Sequence, residues 1–462
     1  MNRVTLSLMA ATAIISTSIF AADTLEGAFK EGTVSGQVRA FYIHRDYTYA
    51  GATSGTPTSN TINDRDGLAL GGKMAYETAS LYGVSAGAAF YTTNKLDSAS
   101  GTMTHNDKTL FDSTDKGFTY LGQAYLQGKL GKTLVKVGRQ QLDTPLAGSD
   151  DARELPTLFT AALVVNNDVP DTTLIAARVT QVSYGTFASN YATTNATTGA
   201  NRLALSSGYG LGDNSNNGKF QSMGSGALNG IVANTSDTGV TAVAVINKSI
   251  AGLTAQVWDY NAENILNAIY AQADYSWKCL LNPNATMTAS AQYIKERNLA
   301  SGVDLSSAPY YGVQLATKAG NFNASAAYSS TGTDNSATLN GNVISPWGGM
   351  PAFTAGMVAR HQFFADTKAY KLSAGYNLKD VVGQDITASA YYCSFDVGSS
   401  VNGYTDKVTT TEPGFVITYN NAGIKNLQLK LRGNFPNDFK KSTTNAETTS
   451  WKEYRVIANY NF

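Results

Sequence analysis

Apolar side chains recur at every second position along this chain, in stretches of about ten residues separated by polar links. Period two is the repeat of a β-strand, whose successive side chains point to opposite faces. Beyond the N-terminal segment no run approaches the ~18 apolar residues a spanning helix needs. The longest cluster, Ala161-Ala162-Leu163-Val164-Val165, is strand-sized. A chain patterned this way is either an all-β protein in water or one that crosses a membrane as strands. Gly 43 and Tyr 26 against Pro 10 and Cys 2 suit many short strands and turns. Lys+Arg 34 balances Asp+Glu 34, so no global charge draws the chain to nucleic acid.

The two ends choose between these environments. Met1-Asn2-Arg3, a mainly apolar stretch from Val4 to Phe20 and the small Ala21 form the three parts of a secretory signal peptide. Thr5, Ser7, Thr12, Ser16 and Thr17 make it too polar for a comfortable membrane anchor. Residues 1–21 are read as this signal, cleaved after Ala21 or Ala22, and 22–462 as one barrel domain. At the other end, Tyr454, Val456, Ala458, Tyr460 and Phe462 share one strand face, opposite Arg455, Ile457, Asn459 and Asn461. An alternating strand ending on Phe462, with Tyr460 two residues earlier, resembles the C-terminal signal read by the barrel-assembly machinery of bacterial outer membranes.

Strands are expected near 33–45, 66–79, 81–92, 118–130, 132–140, 157–167, 172–183, 239–248, 252–262, 264–277, 284–297, 309–319, 321–331, 368–379, 384–395, 413–422, 425–434 and 451–462. Short links at Ala79-Ser80, Gly131, 166–171, 249–252, Ala319-Gly320 and Gly423 alternate with long polar ones near 46–65, 93–117, 141–156, 184–238, 332–367, 396–412 and 435–450. The links near 263 and 298–308 are short where long ones are expected. Short turns on one rim and long loops on the other describe a transmembrane barrel. Since every backbone group in hydrocarbon must be paired, the sheet must close. The fold class is therefore all-β: a single closed antiparallel transmembrane β-barrel of about eighteen strands, with long extracellular loops and short periplasmic turns. At that width an aqueous channel remains.

Three segments carry a resemblance to OprD-type outer-membrane porins. They are the opening from Gly32 to Tyr42, the segment from Val137 to Leu146 containing Gly138-Arg139-Gln140, and Asp151-Ala152-Arg153-Glu154-Leu155-Pro156 followed by Phe159. The resemblance covers the mature chain and implies an eighteen-stranded barrel, an in-folded third loop, a row of basic lumen residues, and passage of small solutes, often carboxylates such as amino acids.

Face assignment rests on the alternation itself. With Phe462 and its period-two partners toward lipid, Arg455 and Glu453 face the lumen. The same reasoning turns Arg39, Lys73, Arg178, Lys371, Lys430 and Arg432 inward, because their apolar neighbours take the lipid side. A cation at the bilayer midplane on the lipid face costs about 2–4 kcal/mol. These seven residues form either an anion-guiding ladder or an ordinary polar wall paired with Asp274, Glu453 and similar groups. The 141–156 loop, with Asp150, Asp151, Arg153 and Glu154 between Pro145 and Pro156, is either an in-folded constriction or a solvated surface loop. Tyr42, Tyr76, Tyr376, Tyr460 and Phe462 suit an interfacial girdle. Cys279 and Cys393 are expected at opposite ends of the barrel and therefore unbonded.

His44, His105 and His361 are scattered without metal-ligand spacing, and no nucleophile or phosphate-loop motif is present, so neither cofactor nor metal is expected. The Asp213 to Asn217 cluster reads as a polar loop, with a Ca2+ site as the lesser reading. The expected function is a bacterial outer-membrane porin for passive diffusion of small hydrophilic solutes, with anionic or zwitterionic ones favoured. A surface-exposed structural or adhesive barrel, and then a barrel hydrolase, are the alternatives. Its surroundings are outer-membrane lipid and lipopolysaccharide, and a homotrimer is one assembly open to it.

Overall fold

The computed structural model describes residues 21–50, 65–96, 107–112, 115–186, 218–224, 239–349, 351–398, 407–441 and 448–462. Residues 1–20 of the expected signal peptide, His105, the 213–217 cluster and most of the 184–238 stretch lie outside the described residues.

Eighteen long strands carry the fold. They are β1 (Thr33–Ala50), β2 (Arg65–Glu77), β3 (Val84–Lys95), β4 (Phe118–Leu130), β5 (Thr133–Gln140) and β6 (Leu158–Asn166). β7 (Thr172–Ser183), β8 (Val240–Asn247), β9 (Leu253–Ala262), β10 (Leu266–Lys278), β11 (Ala285–Asn298) and β12 (Tyr310–Ala319) follow. β13 (Phe322–Thr331), β14 (Thr367–Asn377), β15 (Ile386–Val397), β16 (Val408–Asn420), β17 (Leu427–Asn434) and β18 (Thr448–Asn461) complete the series. Each pairs antiparallel with the next, and β18 returns to β1 in a register running from Gln37 opposite Asn461 to Ala50 opposite Thr448. The barrel is closed. Its seam is completed by the last residue: Phe462 N donates to Gly36 O at 3.1 Å and Gly36 N to Phe462 O at 2.9 Å.

Both ends of the barrel chain lie on one rim, the lower, which also carries the short turns. Gly131, at φ 58°, makes the tightest of these possible between β4 and β5. The other rim carries the loops, called here L1 to L9. L5, 263–265, is the shortest of them, and L6 spans 299–309. A six-residue helix, α1 (Leu25–Lys30), is capped by Thr24 Oγ1, which accepts from Gly27 N at 3.0 Å, and lies against the lower rim. Cys279 follows β10 at that rim, Cys393 is buried in the upper half of β15, and both thiols are free.

Alternating burial gives each wall residue a side. Val38, Met74, Leu372, Leu429, Leu431 and Val456 are exposed on the outer face, as lipid contact requires. Exposed aromatics form two rings on that face. Tyr275, Phe322, Tyr376, Tyr460 and Phe462 lie near the lower rim, with Tyr76 beside them, and Tyr311, Tyr370, Tyr392 and Tyr454 lie higher.

The inner face is not uniformly polar. On β5 to β9 it carries Leu134, Leu163, Val165, Ile175, Ala177, Val179, Ala242 and Ala244, all buried in one apolar cluster with Leu142, Leu146, Val343, Ile344 and Trp347 of L3 and L7. Strands buried on both faces lose their alternation. This corrects the side assigned to Arg178. Ile175, Ala177 and Val179 point inward, so Arg178 lies on the outer face near the upper rim. There it pairs with Glu263 at 2.6 Å and donates to Thr241 Oγ1 at 2.9 Å.

The seam supplies a test. A Cβ at Gly36 would lie 2.5 Å from the Phe462 ring and 2.7 Å from the Lys73 carbonyl oxygen. Overpacking of this kind costs about 1–3 kcal/mol. Gly36→Val is expected to reduce the heat-modifiable, folded band on a gel, whereas Gly36→Ser, with a smaller side chain, reduces it less.

Candidate functional site

L3 (141–157) leaves β5 and turns into the barrel. Its tip is held by its own side chains, with Asp143 Oδ1 accepting from Ser149 N at 2.9 Å and from Ser149 Oγ at 2.5 Å. Beside it lies L7 (332–366), which also folds inward. Gly148 N donates to Trp347 O at 3.0 Å, and Arg360 reaches both oxygens of Asp150 at 3.2 Å. Trp347 is buried and donates from Nε1 to Met223 O at 3.0 Å. A polar external loop was expected at 332–367, and the structure instead packs this segment inside. Its apolar content, from Val343-Ile344 and Trp347 through Met357-Val358 to Phe363-Phe364, is the signal that marks it, since such a loop cannot remain solvated without exposing a large apolar patch.

Arginines weld L3 to the wall. Arg39 of β1 makes two hydrogen bonds to Asp151, at 2.6 and 2.9 Å. It also donates to the carbonyls of Arg153 and Glu154 at 2.7 and 3.1 Å, and to Asn459 Oδ1 at 2.9 Å. Deeper in, Arg45, Arg153 and Arg455 converge on Glu453. Arg45 Nε is 2.7 Å from Glu453 and 3.1 Å from Asp107 of the loop between β3 and β4, Arg153 Nη2 is 3.5 Å from Glu453, and Arg455 contacts it directly. All five side chains have no exposed surface. Removing one partner from such a buried set costs about 3–5 kcal/mol, because a charge is left without compensation.

The residues singled out from sequence therefore divide. Arg455 faces inward but is sealed beneath L3. Lys371 faces inward and is engaged by L7, with Nζ donating to Ala355 O at 2.6 Å and lying 5.1 Å from the Tyr391 ring centre. Lys73, Lys430 and Arg432 remain partly exposed on the inner wall, and Arg432 Nη1 is 3.8 Å from Met357 Sδ of L7. All three lie within electrostatic reach of Asp151. Among the loop acids Asp150 is taken by Arg360, while Asp151 keeps 43% of its side chain open to the lumen. Burial works to raise the Asp151 carboxyl, yet Arg39 first, then Lys430 and Arg432, hold it below the ordinary range.

Two inner-wall features escaped sequence reasoning. Lys136 of β5 lies 3.6 Å over the Tyr125 ring, within reach of Glu77 and Lys73. Exposed Val135 and Val137 on either side carry the same alternation signal that located Lys430. Wall carboxylates beyond Glu453 also face inward, and they bind loop backbone. Glu412 accepts from Met357 N at 2.8 Å and from Val358 N and Ala359 N, and Glu296 accepts from Ile344 N at 2.8 Å.

Glu154 differs from its neighbours. It is 1% exposed, and neither carboxyl oxygen has a hydrogen-bond partner among the described residues. It fits against the bare backbone of Gly71. Burial, only partly opposed by Arg39, pushes it up to about 8 from 4.5. The folded state thus holds this proton more tightly than the unfolded chain does, and stability falls as pH rises from about 4.5 to about 8, then levels off. The unfolding temperature of the barrel in detergent is expected to drop by several degrees between pH 5 and pH 9. Glu154→Gln should flatten most of that drop; an unchanged pH profile in the variant would assign it to other groups.

The chain matches the family model described as outer membrane porin, OprD family, over residues 26–462. No curated protein matches it by sequence. Among solved structures it is similar to OccK9 (OpdG) of Pseudomonas aeruginosa, at 16% identity and TM-score 0.71, over 94% of this chain and 99% of that one. OccAB4 of Acinetobacter baumannii is similar at 17% identity and TM-score 0.69, over 93% and 98%. OccK2 (OpdF) of Pseudomonas aeruginosa, solved in complex with glucuronate, is similar at 15% identity and TM-score 0.70, over 94% and 99%. With a family model spanning nearly its whole length and a closed barrel narrowed by its loops, the chain is a bacterial outer-membrane channel, not an enzyme, and belongs to the OprD family of porins.

Proposed function

We propose that this channel favours small organic anions, carboxylates above all. The observation that carries the reading is an imbalance among wet charges. Lys73, Lys136, Lys430 and Arg432 face the lumen without being buried, whereas Asp150, Glu154, Glu296, Glu412 and Glu453 are occupied by loop contacts or sealed from water, and the partly exposed wall acids Glu77 and Asp274 are fewer than the cations. Of Asp150, Asp151 and Glu154 in L3, Asp151 keeps substantial exposure, and Arg39 already neutralises it. An incoming carboxylate therefore meets a net positive wall, and an ammonium finds little to bind. This shifts the reading from amino acids toward simple anions, since Asp150, Asp151 and Glu154 do not form the acidic face that a zwitterion needs. Relatives of the same fold point the same way: one was solved with glucuronate and one, OpdK of Pseudomonas aeruginosa, with vanillate, and both ligands are carboxylates. Residues 1–21 as a cleaved export signal belong to the same reading.

The test is the reversal potential across a salt gradient for wild type and for Lys430→Gln with Arg432→Gln. Two partly exposed charges together contribute about 1 kcal/mol, so the anion-to-cation permeability ratio should fall roughly fivefold. The difference should shrink toward 1 M salt, where the screening length is ~3 Å. A cation-selective wild type, or a reversal potential unmoved by the substitutions, overturns the proposal.

A further inference from the structure

Above the lower aromatic ring, one sector of the outer face combines paired tyrosines with cations. On β11 to β14, Tyr293, Tyr311, Tyr328 and Tyr370 point outward, because their chain neighbours Ile294, Tyr310, Ser329 and Ala369 are buried inward. The rings form two pairs, Tyr293 with Tyr311 at 5.3 Å and Tyr328 with Tyr370 at 5.1 Å between centres. Exposed Lys368 lies one outward position above Tyr370, on the hydrogen-bonded row that runs through Ser330 and Tyr311 to Tyr293. Lys295 and Arg297 lie two and four residues above Tyr293 on β11. From Tyr370 down to Tyr376 the outer face of β14 is Leu372 and Ala374, about 20 Å of strand. The three cations therefore stand just above the apolar band, at the level where lipid headgroups begin.

Acids stand nearby without pairing to them: Asp259, in the register row of Lys295, accepts from Asn267 Nδ2 at 2.8 Å, and exposed Asp366 precedes Lys368 by two residues. Asp334 of L7 acts on Lys295, which donates to Ser307 O. Asp396, the register partner of Lys368, is held by Lys407 at 3.3 Å and by Thr409 Oγ1 at 2.8 Å. Elsewhere among the described residues of this rim, outward cations lie against acids. Arg178 pairs with Glu263, His44 lies between Asp46 and Asp66, and Lys452 is opposite Asp46 in register. Among the described residues, Lys295, Arg297 and Lys368 enter no ion pair.

We propose that this face binds the phosphorylated headgroup of a lipopolysaccharide of the outer leaflet, with phosphates on Lys368 and on the Lys295 and Arg297 pair and acyl chains over the tyrosines. β11 and β14 are three strand spacings apart, about 14 Å. The two cationic ends thus engage separate phosphates of one headgroup instead of chelating one. Amphipathic tyrosine rings suit the boundary between headgroup and chain.

Native mass spectrometry of the purified protein in detergent tests this, with a defined lipopolysaccharide and its dephosphorylated form as probes. Wild type should retain the phosphorylated form at least fivefold better, and retention should fall as salt rises. Lys368→Gln with Arg297→Gln should lower retention at least fivefold while the heat-modifiable band and the single-channel conductance stay unchanged; Lys452→Gln should change nothing. Equal binding of the two probes, salt-independent retention or an unaffected double variant overturns the assignment. So does disulfide cross-linking between two copies carrying Tyr311→Cys, which would show that a second copy of the chain covers this face. The salt titration needs no substitution, so the assignment is testable even if the double variant assembles poorly.

Discussion

A sheet that crosses hydrocarbon cannot leave an edge, because each unpaired backbone group there costs several kcal/mol. Closing eighteen strands satisfies that demand and creates another: the enclosed space is too wide for wall side chains to fill. L3 and L7 answer it. They enter from the upper rim, bring Leu142, Leu146, Ile344 and Trp347 against apolar wall residues such as Leu163 and Ile175, and exclude water from one side of the barrel. Once part of the lumen is dry, the backbone and charges of those loops come under the same rule that closed the sheet. Each polar group must find a partner.

That rule explains how charge is divided. The groups that hold loops to the wall in dry surroundings are largely arginines: Arg39, Arg45, Arg153, Arg360 and Arg455. A guanidinium offers five donors in a planar fork and can satisfy a carboxylate and backbone carbonyls together, as Arg39 does with Asp151, Arg153 O and Glu154 O. The cations left on the wet wall are mostly lysines, Lys73, Lys136 and Lys430, whose compact, well-hydrated heads can approach a passing anion and release it. Lys371 departs from this division, since L7 engages it through the Ala355 carbonyl.

Strand alternation made the barrel legible, and it located Lys73, Lys430 and Arg432 on the inner wall because Met74, Leu429 and Leu431 beside them are apolar and their own face is wet. The same rule misplaced Arg178. On β7 the inner residues Ile175, Ala177 and Val179 are as apolar as lipid-facing ones, because they pack on in-folded loops. Period two assigns two faces, but only the contents of the lumen decide which face is polar. The inward course of L7 was hidden for a related reason: its Ser, Thr, Asn and Gly residues read as an external loop, while Ile344, Trp347, Val358 and Phe363 are the residues that fix its place. Strand ends shifted by a few residues, as when β1 continued to Ala50, because the polar upper ends of strands carry little alternation.

Glu296 and Glu412 were the least legible of all, since their partners are backbone amides far away in sequence. Glu412 gathers three consecutive N–H groups at 357–359, and Glu296 takes Ile344 N. A carboxylate committed to loop amides contributes little to the field that a solute meets in open water, because its charge is spread into fixed dipoles and shielded by the loop. Charge-balanced composition is therefore a poor guide to pore selectivity. Lys+Arg and Asp+Glu are equal over the chain, yet several inward acids are spent on building the constriction while several of the bases are left to face the water that runs through it.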